Sequence, residues 1–226
     1  MKLIIFDCDG VLVNSEEIYI AAELEFLAGI GASFERGPYM QAFMGLSPRM
    51  WRGKLEPVVE ANIGKALPAD FFDRLHAFAV AKIETGLAAL PDAYETIDAI
   101  AVRRCVASST PSPRLRWKLQ RAGLIDLFGP HIFSSDMVVN GKPAPDLFLH
   151  AAATMSVDPA DCLVVEDSAN GVLAGKAAGM KVVGLTAGGH CIDGHADILL
   201  DSGADIIVDS YAGLAGAIEK FSSART

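Results

Sequence analysis

Apolar residues follow two rhythms along this chain, and the change from one to the other divides it. Short runs with almost every position apolar recur as Leu3-Ile4-Ile5-Phe6, Cys105-Val106-Ala107, His131-Ile132-Phe133, Cys162-Leu163-Val164-Val165, Val182-Val183-Gly184-Leu185 and Ile206-Ile207-Val208. A strand apolar on both faces is buried on both, which predicts a parallel sheet covered by helices on either side. Between these runs, from residue 88 onward, helical spacing predicts helices over 93–101, 113–122, 145–155, 168–178 and 211–220, with Gly123 and Gly179 as C-terminal caps. Strand and helix alternate as in a doubly wound, Rossmann-like α/β core, whose reactive groups collect at the carboxyl ends of the strands.

Residues 15–87 break this rhythm. They contain no strand pattern, only helix-like segments at 16–28, 34–44, 48–62 and 69–85, with breaks near Gly31, Gly45 and Gly64. The expected domains are therefore an α/β core of residues 1–14 and 88–226 and an inserted α-helical domain of residues 15–87, folded as a cap over the strand ends. No repeat or low-complexity tract is visible.

Composition narrows the function classes. Of 226 residues, 51% are hydrophobic and 21% charged, enough to build a sizeable core. With 19 Lys+Arg against 28 Asp+Glu the formal charge is -9, which speaks against nucleic acid or an anionic membrane surface as a partner. The N-terminal apolar run is too short for a signal peptide, and no uncharged apolar stretch of ~18 residues occurs. The cysteines, Cys8, Cys105, Cys162 and Cys191, lie far apart without C-x-x-C spacing, as buried thiols in a reducing compartment do. A cytoplasmic protein, monomeric or weakly dimeric, is expected.

The chemistry lies at the strand ends. Asp7 and Asp9 follow the first run one residue apart, and two adjacent carboxylates repel unless a cation neutralises them. A hard divalent ion such as Mg²⁺, held by one or two carboxylates, is the natural partner. Glu166-Asp167 follow the fourth run, with Ser168 placed to cap the next helix. After the second run, the hydroxyls and N–H groups of Ser108-Ser109-Thr110 precede a helix and suit an anion. Lys142, in "NGKPAPD", offers a point charge to a phosphoryl oxygen.

In this order, Asp7-Cys8-Asp9-Gly10-Val11, Ser108, Lys142 and Glu166-Asp167 resemble the four motifs of the haloacid dehalogenase superfamily, in its Mg²⁺-dependent phosphotransferase branch. "GKPAPDLF" and "VEDSANG" add local detail. The resemblance implies that Asp7 is the nucleophile and Asp9 the general acid and base. It implies a Mg²⁺ ion held by Asp7, the backbone carbonyl of Asp9 and Asp167, with Glu166 orienting a metal-bound water. Phosphoryl oxygens would be met by Ser108, Lys142 and the N–H groups of Cys8, Asp9 and Ser109. The insert is similar to the family's small helical caps, on which Glu17, Tyr19 and Arg49 are candidate substrate contacts. The implied activity is a phosphatase acting on a small phosphorylated metabolite, a sugar, sugar-acid or polyol phosphate. A phosphomutase of the β-phosphoglucomutase kind is the alternative, although similar mutases have a histidine where this chain has Tyr19. A dehalogenase would need neither Asp9 nor the metal. A non-catalytic phosphate-ester sensor would not need the Asp pair.

"GGHCIDGH" sets His190, Cys191 and His195 on a glycine-rich loop after a strand. It suggests a zinc site, but no fourth ligand lies near. A loop flanking the active-site mouth, with His190 lining it, is the simpler expectation. Trp51, with Phe43 and Met50, reads as core of the helical insert.

Overall fold

The computed structural model describes residues 1–43, 46 and 48–223. The chain begins with β1 (Leu3–Phe6) and continues through α1 (Ser15–Gly29), α2 (Arg36–Phe43), α3 (Pro48–Ile63) and α4 (Phe71–Gly86). Then follow α5 (Ala93–Ala99), β2 (Arg103–Ser108), α6 (Ser112–Arg121), α7 (Ile125–Phe128) and β3 (Ile132–Ser134). The remainder is α8 (Asp146–Thr154), β4 (Cys162–Glu166), α9 (Ala169–Ala177), β5 (Lys181–Leu185), α10 (His195–Asp201), β6 (Ile206–Val208) and α11 (Tyr211–Ser223), with single 3₁₀ turns at Ser135–Met137 and Pro159–Asp161. Two compact units result, Met1–Asn14 with Ala88–Thr226, and Ser15–Leu87.

The first unit is a six-stranded, all-parallel sheet in the order β3-β2-β1-β4-β5-β6. Alternation along the strands explains the continuous apolar runs. Leu3, Ile5, Cys105, Ala107, Cys162, Val164 and Val182 point to one face, against Leu147, Phe148 and Ala151 of α8 and Val172 and Ala174 of α9. The intervening Phe6 points to the other face, where its ring lies 5.9 Å from Phe128 of α7. Each large apolar side chain so buried contributes roughly 1.5–3 kcal/mol. The glycine caps form as expected: Gly179, at φ +74, donates to Lys176 O while Met180 N–H reaches Gly175 O, both at 3.0 Å.

The sequence pattern does not reveal α7 and α10. The first has four residues, too few to display a period. The second, within what reads as loop, buries only Leu199 and leaves Ile198 and Leu200 about half exposed, so it has no apolar stripe to detect.

In the second unit α1 packs along α4, and Leu27, Tyr39, Phe43, Leu55, Val59, Phe71 and Leu75 form the core. Gly31 and Gly64 mark breaks at positive φ, whereas the expected break at Gly45 and the helix end at Met44 lie outside the described residues. Trp51 packs on this core with its ring 5.4 Å from Phe72. Met50 does not: it is 61% exposed, on the outer side of α3.

One carboxylate interrupts the buried stripe of α1. Glu23, between Ile20 and Leu27, is 5% exposed and accepts a 2.9 Å hydrogen bond from the Tyr39 hydroxyl. Burial pushes its pKa up from 4.5 to about 7, against a smaller downward pull from Tyr39. A raised carboxyl pKa adds stability that is whole below about pH 4.5 and is lost as pH rises through about 7. Glu23→Gln should remove that decline. In urea unfolding, the variant's advantage over the parent should grow by on the order of 3 kcal/mol between pH 4 and pH 8. A difference independent of pH would show that Glu23 does not titrate there.

Candidate active site

The strand order itself locates the site. From β1 the chain moves outward through β2 and β3, then returns to lay β4 on the other side of β1. The reversal lies between β1 and β4, and a crevice opens outside the carboxyl ends of strands at such a point. Asp7 stands just past β1, its N–H donating to Val165 O at 3.0 Å, which places it level with Glu166 at the end of β4. Asp167 follows. Ligand oxygens of Asp7, Glu166 and Asp167 lie within 4.8 Å of one another, and all three residues are buried.

Three buried carboxylates at this spacing need counter-charge. Lys142 supplies part of it: its Nζ lies 2.7 Å from Asp7 Oδ1, 2.7 Å from Glu166 Oε1 and 2.9 Å from Ala107 O. Those contacts use all three ammonium hydrogens. Burial opposes the Lys142 charge, but Asp7 and Glu166 outweigh it and raise its pKa above the ordinary value. Asp7 is held well above the ordinary carboxylate range, first by burial and then by Glu166, Asp167 and Asp9, with Lys142 pulling the other way. An oxygen-only donor set with an excess of negative charge is what a hard divalent cation takes, so the residues fit Mg²⁺. Asp9 is not part of this carboxylate cluster. Its expected ligand atom is the backbone carbonyl.

The Glu166 side chain is fixed on its far side. Oε2 accepts from the N–H groups of Asp167 and Ser168, each at 3.1 Å, and from Ser168 Oγ at 2.9 Å. Ser168 also caps α9 through the Gly171 N–H. Gly171 has to be glycine, because a Cβ there would fall 1.8 Å from Glu166 Oε1.

Asp9 has partners that the motif reading did not supply. Its Oδ2 accepts from Thr110 Oγ1 at 2.6 Å, and its Oδ1 pairs with Lys118 Nζ. Lys118 lies on α6 with Leu115 and Leu119 on the buried face. A lysine at i+3 on an apolar stripe was the available sequence signal. Ser108 is buried, and its Oγ accepts from the Thr110 N–H at 3.1 Å; Ser109 is exposed. The loop that carries them is tied down from the end of β3. Ser134 Oγ donates to Thr110 O and Ser135 Oγ to Ser109 O, each at 2.7 Å, and Asp136 accepts from the N–H and Oγ of Ser112. Those Ser112 hydrogen bonds hold the Asp136 pKa down to about 2.

The candidates on the helical unit separate. Tyr19 lines a cavity of about 410 Å³ with Glu23, Trp51, Arg52 and His76, and its hydroxyl is 3.3 Å from His76 Nδ1. Glu17 does not line that cavity; it lies 3.8 Å from Arg36. Arg49 is exposed.

A parallel α/β sheet with a buried carboxylate just past its first strand, a second acid two residues on and a lysine-bridged acidic cluster at its switch point is what the site presents. The comparisons give the family: the model of the haloacid dehalogenase-like hydrolases matches residues 1–179, and the chain belongs to that family. The chain is 27% identical to the 6-phosphogluconate phosphatase of Escherichia coli strain K12, over 84% of this chain and 85% of that one. It is 30% identical to a phosphorylated carbohydrates phosphatase of Thermotoga maritima, over 92% and 94%. A crystal structure of a haloacid dehalogenase family hydrolase from Deinococcus radiodurans R1, with bound phosphate and sodium, matches with a TM-score of 0.87 at 33% identity, covering 98% of this chain and 96% of that one. All four cysteines are free, and among the described residues no helix is long and apolar enough to cross a membrane.

Proposed function

We propose that this enzyme is a Mg²⁺-dependent phosphatase that hydrolyses a sugar, sugar-acid or polyol phosphate through a phosphorylated Asp7. The observation that carries the reading is the cluster of Asp7, Glu166 and Asp167 bridged by Lys142, with Asp9 two residues beyond the nucleophile. Relatives named as phosphatases of 6-phosphogluconate and of phosphorylated carbohydrates support the substrate class.

Mg²⁺, held by Asp7, Asp167 and the Asp9 carbonyl with Glu166 behind a bound water, would shield the negative charge of nucleophile and phosphoryl group from one another. An oxygen of Asp7 attacks phosphorus in line with the bond to the leaving oxygen, and that bond breaks. Asp9 gives its proton to the departing oxygen. In the second half, Asp9 takes a proton from water as that water attacks the phosphorus on Asp7, which releases phosphate and restores the carboxylate. Ser108 and the N–H of Ser109 bind the phosphoryl oxygens, and Lys142, its three hydrogens given to Asp7, Glu166 and Ala107 O, adds its positive charge beside them. Thr110 and Lys118 hold the Asp9 carboxyl in place between the two proton transfers. Selection of the leaving group is assigned to the helical unit, residues 15–87, with Tyr19 its first candidate because it lines a cavity within that unit.

A screen for phosphate release over sugar, sugar-acid, polyol and nucleotide monophosphates tests this. Release should be highest on the carbohydrate esters and should fall to background in excess chelator, returning with Mg²⁺. Interconversion of a sugar 1-phosphate to the 6-phosphate without free phosphate would identify a mutase. Full activity in chelator would reject the metal.

A further inference from the structure

The histidines after β5 take no part in that scheme, yet their geometry is specific. Donor atoms of His190, Cys191 and His195 lie within 4.8 Å of one another, but both imidazoles are already engaged. His190 Nε2 is 2.7 Å from Asp167 Oδ2, and His195 Nε2 is 2.6 Å from the main-chain oxygen of the same residue. A carbonyl oxygen only accepts, so His195 Nε2 carries a hydrogen and donates it. Two rings thus converge on one aspartate, one on its side chain and one on its backbone.

The chain makes room for this contact with glycine. A Cβ at Gly10, where φ is +73, would fall 1.9 Å from Asp167 Oδ2 and 2.7 Å from His190 Cε1; a Cβ at Gly188 would fall 2.4 Å from His190 Cε1. His190 itself is 3% exposed. Both glycines therefore border the space that the ring occupies against Asp167.

We propose that His190 and His195 are positioning residues for Asp167, holding its carboxylate in the rotamer that presents an oxygen to a divalent cation. The inference rests on Asp167 as a metal ligand in the proposed function. A carboxylate with one oxygen hydrogen-bonded loses less freedom when the other takes a cation. An imidazole can give that bond while remaining neutral, so it does not compete with the cation as a second ammonium would. Partners of this kind typically change metal affinity by 10- to 100-fold.

The test uses the full chain, stripped with chelator and titrated with Mg²⁺ by calorimetry and with Mn²⁺ by electron paramagnetic resonance. His190→Phe keeps a ring and loses the donor, and should weaken Mg²⁺ binding by about 10- to 100-fold. The Mg²⁺ concentration for half-maximal activity should move by the same factor, while kcat at saturating Mg²⁺ stays within a few-fold of the parent. His190→Gln, whose amide can still donate, should recover most of the affinity. Gly188→Ala, which displaces the ring without removing a donor, should reproduce His190→Phe. His195→Phe gives a second, independent reading if His190→Phe does not fold. Unchanged Mg²⁺ affinity in these variants, even with a lower melting temperature, overturns the proposal. A tight Zn²⁺ site abolished by Cys191→Ser also overturns it, because the histidines would then be ligands themselves. A parent protein that binds no Mg²⁺ rejects the metal reading as well, and that result is distinct from a parent that binds with variants equal to it.

Discussion

Asp7→Asn should reduce turnover by on the order of 10⁴-fold or more and leave the fold in place. The asparagine is nearly isosteric, but its amide is a poor nucleophile, and no neighbour replaces it. Among the described residues, the other carboxylates of the cluster are turned to different work. Glu166 is held by Lys142 on one oxygen and by Ser168 and two N–H groups on the other, and Asp167 takes His190. The loop from Cys8 to Val13 should keep its shape, because main-chain bonds define it: Leu12 and Val13 N–H to Cys8 O, and Gly10 N–H to Val13 O. Tyr211 fixes it further with a 2.7 Å hydrogen bond to Val11 O. Asparagine also removes one charge from a site where burial and three neighbouring carboxylates already disfavour it. In chelator the variant should therefore melt within a few degrees of the parent. Phosphate release from a generic aryl phosphate in Mg²⁺, set beside the melting curve, separates the two effects. Retained Mg²⁺-dependent release would remove Asp7 from the nucleophile's role.

The fold was legible because a buried parallel sheet leaves a coarse mark: every strand is an apolar run, and the runs sit where the structure has strands, to within a few residues. The acids were legible for a related reason. A charged residue directly after such a run can only be at the carboxyl edge, so Asp7, Asp9, Glu166 and Asp167 were placed by the strands that precede them. Residues that reach the site from the flank of an element were not. Lys118 and Glu23 both sit in buried helical stripes, and a stripe was read for its apolar members alone. Thr110, Ser134 and Ser135 act through pairings of loops distant in sequence, and hydroxyls are common in loops. His190 and His195 were seen only as members of a loop expected to flank the active-site mouth, with His190 lining it. Their contact with Asp167 depends on how the chain turns after β5, which spacing does not encode.

Lys142→Met should cost more stability than any other single change at the site. It removes the ammonium on Asp7 and Glu166 and leaves both carboxylates buried, and breaking a buried ion pair from one side typically costs about 3–5 kcal/mol. Methionine fills the space beside Phe148, whose ring lies 4.7 Å from Nζ, so lost packing contributes little. Arginine should not rescue, because three hydrogen bonds from one nitrogen to Asp7, Glu166 and Ala107 O are not the pattern of a planar fork. The loss should depend on pH in a definite direction. Lys142 has a raised folded pKa, so its own contribution is whole below its ordinary value near 10.5 and is constant across neutral pH. Asp7 also has a raised folded pKa, and its stabilising share, present below about 3.8, is lost as pH climbs through that raised value. Lys142 is what lowers the Asp7 pKa, so without it the folded value rises further and the penalty at higher pH grows. In chelator, the stability gap between parent and variant should therefore be wider at pH 8 than at pH 5. Mg²⁺ binds the folded state, and it should narrow the gap because the variant, lacking the ammonium that competes for Asp7 and Glu166, should bind the ion more tightly. Urea unfolding at both pH values, with and without Mg²⁺, measures each of these terms. A gap that is flat with pH would show that the Asp7 carboxyl is not coupled to the lysine, and the charge balance argued for the site would fail with it.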